Sequence, residues 1–180
     1  MMAPFNMEVT IMKRNLFNSL AAAALLAGAL PAQAEGDFDL AAMAKALSGT
    51  PVSLVQGIKA SGPQGMPIST KFEIENGALQ LSVYTMNRDQ FSEVFVDHKT
   101  GTVEKSTAIT AGEDLKDAGA QGAAMSKAKV SLETAIGTAE GSNAGYRAVS
   151  AIPSIDGGRP VATILLMKGA DTKKVTEKLD

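Results

Sequence analysis

His98 is the only histidine in the chain, and cysteine is absent. An imidazole beside Asp97 has the chemistry of a general base, but a zinc or copper site draws on several imidazole or thiolate ligands. A serine nucleophile would likewise have only His98 to pair with, and no Gly-x-Ser-x-Gly elbow is present. The acids form no His-Glu-x-x-His or EF-hand spacing. Glu113, Asp114 and Asp117 cluster near an expected helix start, where they offset the helix dipole rather than gather a cation. Gly119 and Gly122 lack the Lys and Ser/Thr partners of a phosphate loop. Met43, Met66, Met86, Met125 and Met167 are scattered, as core filler would be. These residues imply no enzyme, no cofactor and no metal centre, and they leave His98 as a solvated turn side chain.

The ends and the composition point away from the cytoplasm. Met12-Lys13-Arg14 is a basic stretch, Leu16 to Leu30 is largely apolar, and Ala32-Gln33-Ala34 follows Pro31. In that order they read as a cleaved secretory signal over residues 1–34, with a mature start at about Glu35 and a periplasmic or secreted destination. The apolar run is shorter than the roughly 18–20 residues that span a bilayer, and no later segment is apolar enough. The whole chain has 17 basic and 19 acidic residues, for a net charge of −2. Losing Lys13, Arg14 and Glu8 with the leader would make it −3. That balance excludes a basic face for nucleic acid and a polybasic patch for anionic lipid. Tryptophan is absent, which leaves little material for sugar-binding or base-stacking platforms.

The elements that hold these residues read as helix, then antiparallel strands. Leu40 to Leu47 is built from strong helix formers and closed by Ser48-Gly49. Ser53 is an N-cap for a second helix, Leu54 to Ala60, with Leu54, Val55 and Ile58 on one face. Lys71 to Glu75 then alternates polar and apolar residues, and Asn76-Gly77 is a strong hairpin signal. Leu79, Leu81 and Val83 line one face of the return strand, with Gln80, Ser82 and Tyr84 opposite. Phe91 to Asp97 is a third strand, and Thr102 to Ile109 a fourth. A helix covering one face of an antiparallel meander is an α+β layer.

Residues 110–129, rich in Ala, Gly and charge, read as a loose helix or linker. The pattern then restarts: Val130-Ser131-Leu132 repeats Val52-Ser53-Leu54, and Ile136 matches Ile58. A helix over Leu132 to Ala139, strands Tyr146 to Ile155 and Val161 to Met167, and a polar last strand Lys173 to Leu179 complete it. The expected organisation is a first unit over 35–109, the segment 110–129, and a second unit over 130–180.

In the first unit, Glu93-Val94-Phe95-Val96-Asp97-His98-Lys99-Thr100-Gly101-Thr102-Val103 resembles the PepSY domain, whose last hairpin runs strand, Val-Asp, two residues, Thr-Gly, strand. The resemblance covers about residues 50–105. A weaker second copy, about 129–180, has the helix and the Gly-Gly-Arg-Pro turn, and reaches Asp180 where the Asp-x-x-Thr-Gly turn would begin. Asp97, Thr100 and Gly101 form the turn motif by structural logic alone. An Asp after a strand accepts from the following amides, and glycine takes a positive φ. The resemblance implies an exported module that binds or restrains another protein, a peptidase among the partners, and it carries no catalytic residue. Thr102, Val103 and Glu104 open the strand whose edge would take that partner. Two other readings stand beside it: a periplasmic carrier or sensor holding a small ligand between two sheets, and a structural envelope component.

Overall fold

The computed structural model describes residues 40–180. The leader expected over residues 1–34 lies outside them. Among the described residues, four α-helices and seven strands form an α+β fold with the helices packed on one antiparallel sheet. Among the described residues no helix is long and apolar enough to cross a membrane.

The chain opens with α1 (Leu40–Ser48) and α2 (Leu54–Ser61). Ser53 caps α2 reciprocally: its hydroxyl accepts from the Gln56 amide, and the Gln56 side chain accepts from the Ser53 amide. That capping box satisfies donors the first turn would otherwise leave bare. A short 3₁₀ turn, Gly62–Gln64, leads into β1 (Met66–Glu75) and β2 (Ala78–Asn87). Asn76 and Gly77 both have positive φ, 51° and 78°, as a type I′ hairpin turn demands. β3 (Gln90–Val96) and β4 (Val103–Ile109) extend the meander outward.

Residues 110–129 hold a helix, α3 (Gly112–Lys127), with Ala118, Gln121, Gly122, Ala124 and Met125 buried. After it come α4 (Leu132–Ser142), capped by Ser131, and β5 (Arg147–Asp156), β6 (Arg159–Lys168) and β7 (Asp171–Lys178). This second run has the same order as the first, a serine-capped helix followed by a meander. The two runs meet where β1 pairs with β5, at Thr70 opposite Ala151 and Lys71 opposite Ser150. The result is a single sheet in the order β4-β3-β2-β1-β5-β6-β7, and one apolar core runs through both halves.

Both faces of the sheet are covered, which the sequence pattern did not imply. Gly57 of α2 sits where a Cβ would lie 2.8 Å from Leu81 Cδ2. Gly122 of α3 sits where a Cβ would lie 2.9 Å from Met86 Sδ and 3.1 Å from Phe91 Cε1. Leu81 and Met86 are an odd number of positions apart in an uninterrupted strand, so they face opposite ways. Helix α2, with α4 beside it, therefore covers one face, and α3 crosses the other. Gln121 of α3 also accepts from Ser69 Oγ of β1 at 2.5 Å. Small residues let α3 approach closely, and Met125 is the one large apolar side chain it buries.

Candidate functional site

The turn between β3 and β4 is built on Asp97. One of its carboxylate oxygens accepts from the Lys99 amide at 2.7 Å and the Thr100 amide at 2.9 Å. The Asp97 carbonyl accepts from the Gly101 amide at 2.8 Å, and Gly101 has φ 77°. The Asp97 amide in turn donates to the Thr102 carbonyl at 2.9 Å, and the hydroxyls of Thr100 and Thr102 meet at 2.8 Å. Asp97, Thr100 and Gly101 thus come together as one hydrogen-bonded loop. The Thr100 and Lys99 amides hold the Asp97 carboxyl below its ordinary pKa. A depressed folded value contributes stability above the unfolded pKa and loses it as pH falls through the folded one. Replacing Asp97 with alanine should therefore lower the melting temperature at about pH 7. The gap from wild type should narrow as the pH is lowered from about 7 towards about 2, as the folded carboxyl begins to be protonated. A gap equal at both pH values would show that the carboxylate charge does not hold this turn.

His98 is half-buried rather than solvated, which corrects the expectation of a free turn side chain. Its Nδ1 lies 3.1 Å from Thr50 Oγ1, and that hydroxyl donates its own proton to the Ala46 carbonyl at 3.1 Å. The imidazole pins the β3–β4 turn to the connection between α1 and α2. The sequence signal for this is faint, because Thr50 and His98 are far apart in the chain.

Thr102, Val103 and Glu104 stand at the start of β4, the outer strand of the sheet. Glu104 is the extra residue of a bulge, since Phe95 pairs with Lys105 and Val96 with Val103. Residues Glu104 to Ala108 are exposed, whereas Val103 and Ile109 are half-buried. In a trans peptide the C=O and the following N–H point in opposite directions. The Thr102 carbonyl is directed at β3, so the Val103 N–H points away from the sheet, towards the bare edge.

An open groove of about 400 Å³ adjoins this strand, lined by residues from the β1–β2 hairpin, the end of β3 and the Asp97 turn. Glu75, Asp97, Glu104, Lys99 and Lys105 give it both signs of charge. A second groove, of about 250 Å³, lies between the start of β1 and the α3–α4 connection. Among the described residues no three His, Asp or Glu side chains converge as metal ligands would. Glu113 and Asp114 occupy the first turn of α3, and burial, then Glu113, raises the Asp117 carboxyl pKa.

A polar cluster that the sequence reading did not single out lies on the α3-facing side of β1 to β3. Glu93 Oε1 accepts from Ser82 Oγ at 2.9 Å and from Tyr84 Oη at 3.1 Å. Gln80 Nε2 donates to Ser82 Oγ at 3.0 Å and to Glu73 Oε1 at 2.9 Å, and Lys71 pairs with Glu73 at 2.6 Å. Burial, then the Glu93 and Glu73 charges, pushes the Tyr84 phenol far above the ordinary tyrosine range, so it stays a donor. Period-two alternation placed Gln80, Ser82 and Tyr84 on one face, but only the strand pairing shows that Glu93 joins them.

Compared with known proteins, the chain matches no family model, no curated protein and no solved structure.

Proposed function

We propose that this chain is an exported, PepSY-like binding module. It contacts another protein, a peptidase among the candidate partners, by adding an extended segment of that partner to the free edge of β4. The observation that carries the reading is the difference between the two sheet edges. The β7 edge carries Lys173, Lys174 and Lys178, the kind of charge that discourages pairing with another chain. The β4 edge carries only Glu104 and Lys105 as charges, and its central residues are exposed. An incoming strand there would gain main-chain hydrogen bonds, with side-chain contacts giving selectivity. A carrier with its ligand between two sheets is disfavoured, because β1 and β5 pair into one sheet.

Val103→Pro tests this directly. It removes an N–H that points outward and leaves the Thr102 carbonyl bond to Asp97 in place. The variant should melt close to wild type yet lose partners in a pull-down from envelope extract, read beside a thermal melt. Unchanged melting with every partner retained would refute binding through this edge. Should proline disturb the strand, Ser106→Lys places a charge on the same exposed edge and should give the same loss of partners.

A further inference from the structure

We propose that the groove between the β1–β2 hairpin and the Asp97 turn is a binding site for the end of an extended peptide, taken by its free C-terminal carboxylate. The argument begins with the unequal lengths of the ladders on the two sides of β2. Towards β1 the pairing runs down to Glu75 opposite Ala78, next to the hairpin turn. Towards β3 it stops at Leu81 opposite Val96, because the chain turns away at Asp97. The β2 backbone from Ala78 to Gln80 therefore has a neighbour on one side only.

The direction of the spare groups follows from the turn. In a two-residue type I′ hairpin the flanking residues bond each other, so the Ala78 N–H and C=O point at Glu75. The next N–H, that of Leu79, must then point the other way, into the space β3 has vacated. In a strand the Leu79 carbonyl follows its amide, so one donor and one acceptor face the groove. Among the described residues neither has a backbone partner there. A peptide in the place where β3 would have continued, running parallel to β2 so that its C-terminus lies at the Asp97 turn, can satisfy both, at the spacing of an ordinary strand pair, roughly 4.7–4.9 Å.

The groove's charges select the end of that peptide. Lys99 and Lys105 line it. The Asp97 carboxylate also lines it but is already engaged by the Lys99 and Thr100 amides. Glu75 and Glu104 lie on the same walls and oppose a run of acidic residues. A single terminal carboxylate beside Lys99, preceded by uncharged residues alongside Ala78 to Gln80, fits both signs. This site is separate from the outer edge of β4, and it stands or falls independently of the docking proposed there.

The test uses the purified ¹⁵N-labelled protein and the tetrapeptide N-acetyl-Thr-Val-Thr-Val, with a free carboxylate or as the C-terminal amide. The free acid should shift the Leu79 and Lys99 amide resonances, and the amide form should bind about tenfold more weakly, the value of one charge-assisted hydrogen bond. Lys99→Gln should bring the two peptides to equal affinity while leaving the spectrum otherwise folded. Equal binding of both peptides to wild type would overturn the proposal, as would shifts confined to Ser106 and its β4 neighbours. That second outcome would leave the β4 edge reading intact. No shift with either peptide would also overturn the proposal.

Discussion

Replacing Arg147 with methionine should lower stability by about 3 kcal/mol, because three backbone carbonyls lose a charged donor inside the protein. The guanidinium of this β5 residue donates through Nη1 to the Leu47 carbonyl at 3.2 Å and the Thr50 carbonyl at 2.7 Å. Through Nη2 it donates to the Val52 carbonyl, and its Cζ lies 5.0 Å from the centre of the Phe72 ring. Leu47 lies in the last turn of α1, where its carbonyl also accepts from the Thr50 amide at 3.1 Å, and Thr50 and Val52 belong to the connection to α2. Arg147 ties that connection to the other half of the chain. Burial lowers the guanidinium pKa, yet arginine remains charged at any physiological pH. A methionine fills similar volume, which separates the lost hydrogen bonds from a cavity. On a chain this size the loss corresponds to a melting shift of roughly 6–12 °C. Arg147→Lys should recover little, since one ammonium cannot span three carbonyls in a planar fork. A methionine variant melting within about 2 °C of wild type would show that the clamp contributes nothing net.

That clamp also shows where sequence reading runs out. Local chemistry was legible: Ser53 and Ser131 as caps, Asn76-Gly77 as a type I′ turn, Asp97 and Gly101 as a loop closed on its own amides. Each depends on residues within a few positions of one another, so spacing is enough. β4 was legible as an outer strand because it ends the first meander and carries few charges. The pairing of β1 with β5 had no such signal. It joins residues some eighty positions apart, and neither strand's composition names its neighbour. β1 itself begins at Met66, earlier than the alternation from Lys71 implies. Pro67 lies just inside the strand, at its start and beside a register shift, places where a missing N–H is tolerated.

Helix α3 was harder to read for an energetic reason. A helix advertises burial through large apolar residues at helical spacing, but beside Met125 and Gln121 α3 buries only the small residues Ala118, Gly122 and Ala124. Their value lies in what they let approach, Met86 and Phe91, and that is invisible until the sheet is assembled. Covering the second face changes the meaning of the polar residues on it. Ser82, Tyr84 and Glu93, which alternation alone would leave in water, become part of the interior. His98 is relocated by a different contact, with Thr50 in the α1–α2 connection. Arg147 finds its three acceptors about a hundred positions away, where no local spacing points to them.

The buried cluster around Glu93 yields the second large effect and a sharper test than any single replacement. Glu93 is 6% exposed and Tyr84 2%, so water cannot replace a lost partner cheaply. Glu93→Leu leaves the Ser82 and Tyr84 hydroxyls without their shared acceptor, at an expected cost of about 2–4 kcal/mol. Tyr84→Phe removes one donor and keeps the ring in place, so it should cost about 1 kcal/mol. Combining them removes an acceptor together with the hydroxyl that used it, and matched deletions of this kind approach neutrality. The double variant should therefore be more stable than the sum of the two losses implies, by about 1 kcal/mol or more. Urea denaturation of the four proteins measures that coupling, provided the slopes agree. Additive losses would mean that Tyr84 and Glu93 do not depend on each other, and the far face of the sheet would then be held by packing alone. A positive coupling would establish that this polar cluster fixes the spacing of β2 and β3, the two strands from which the groove and the β4 edge are built.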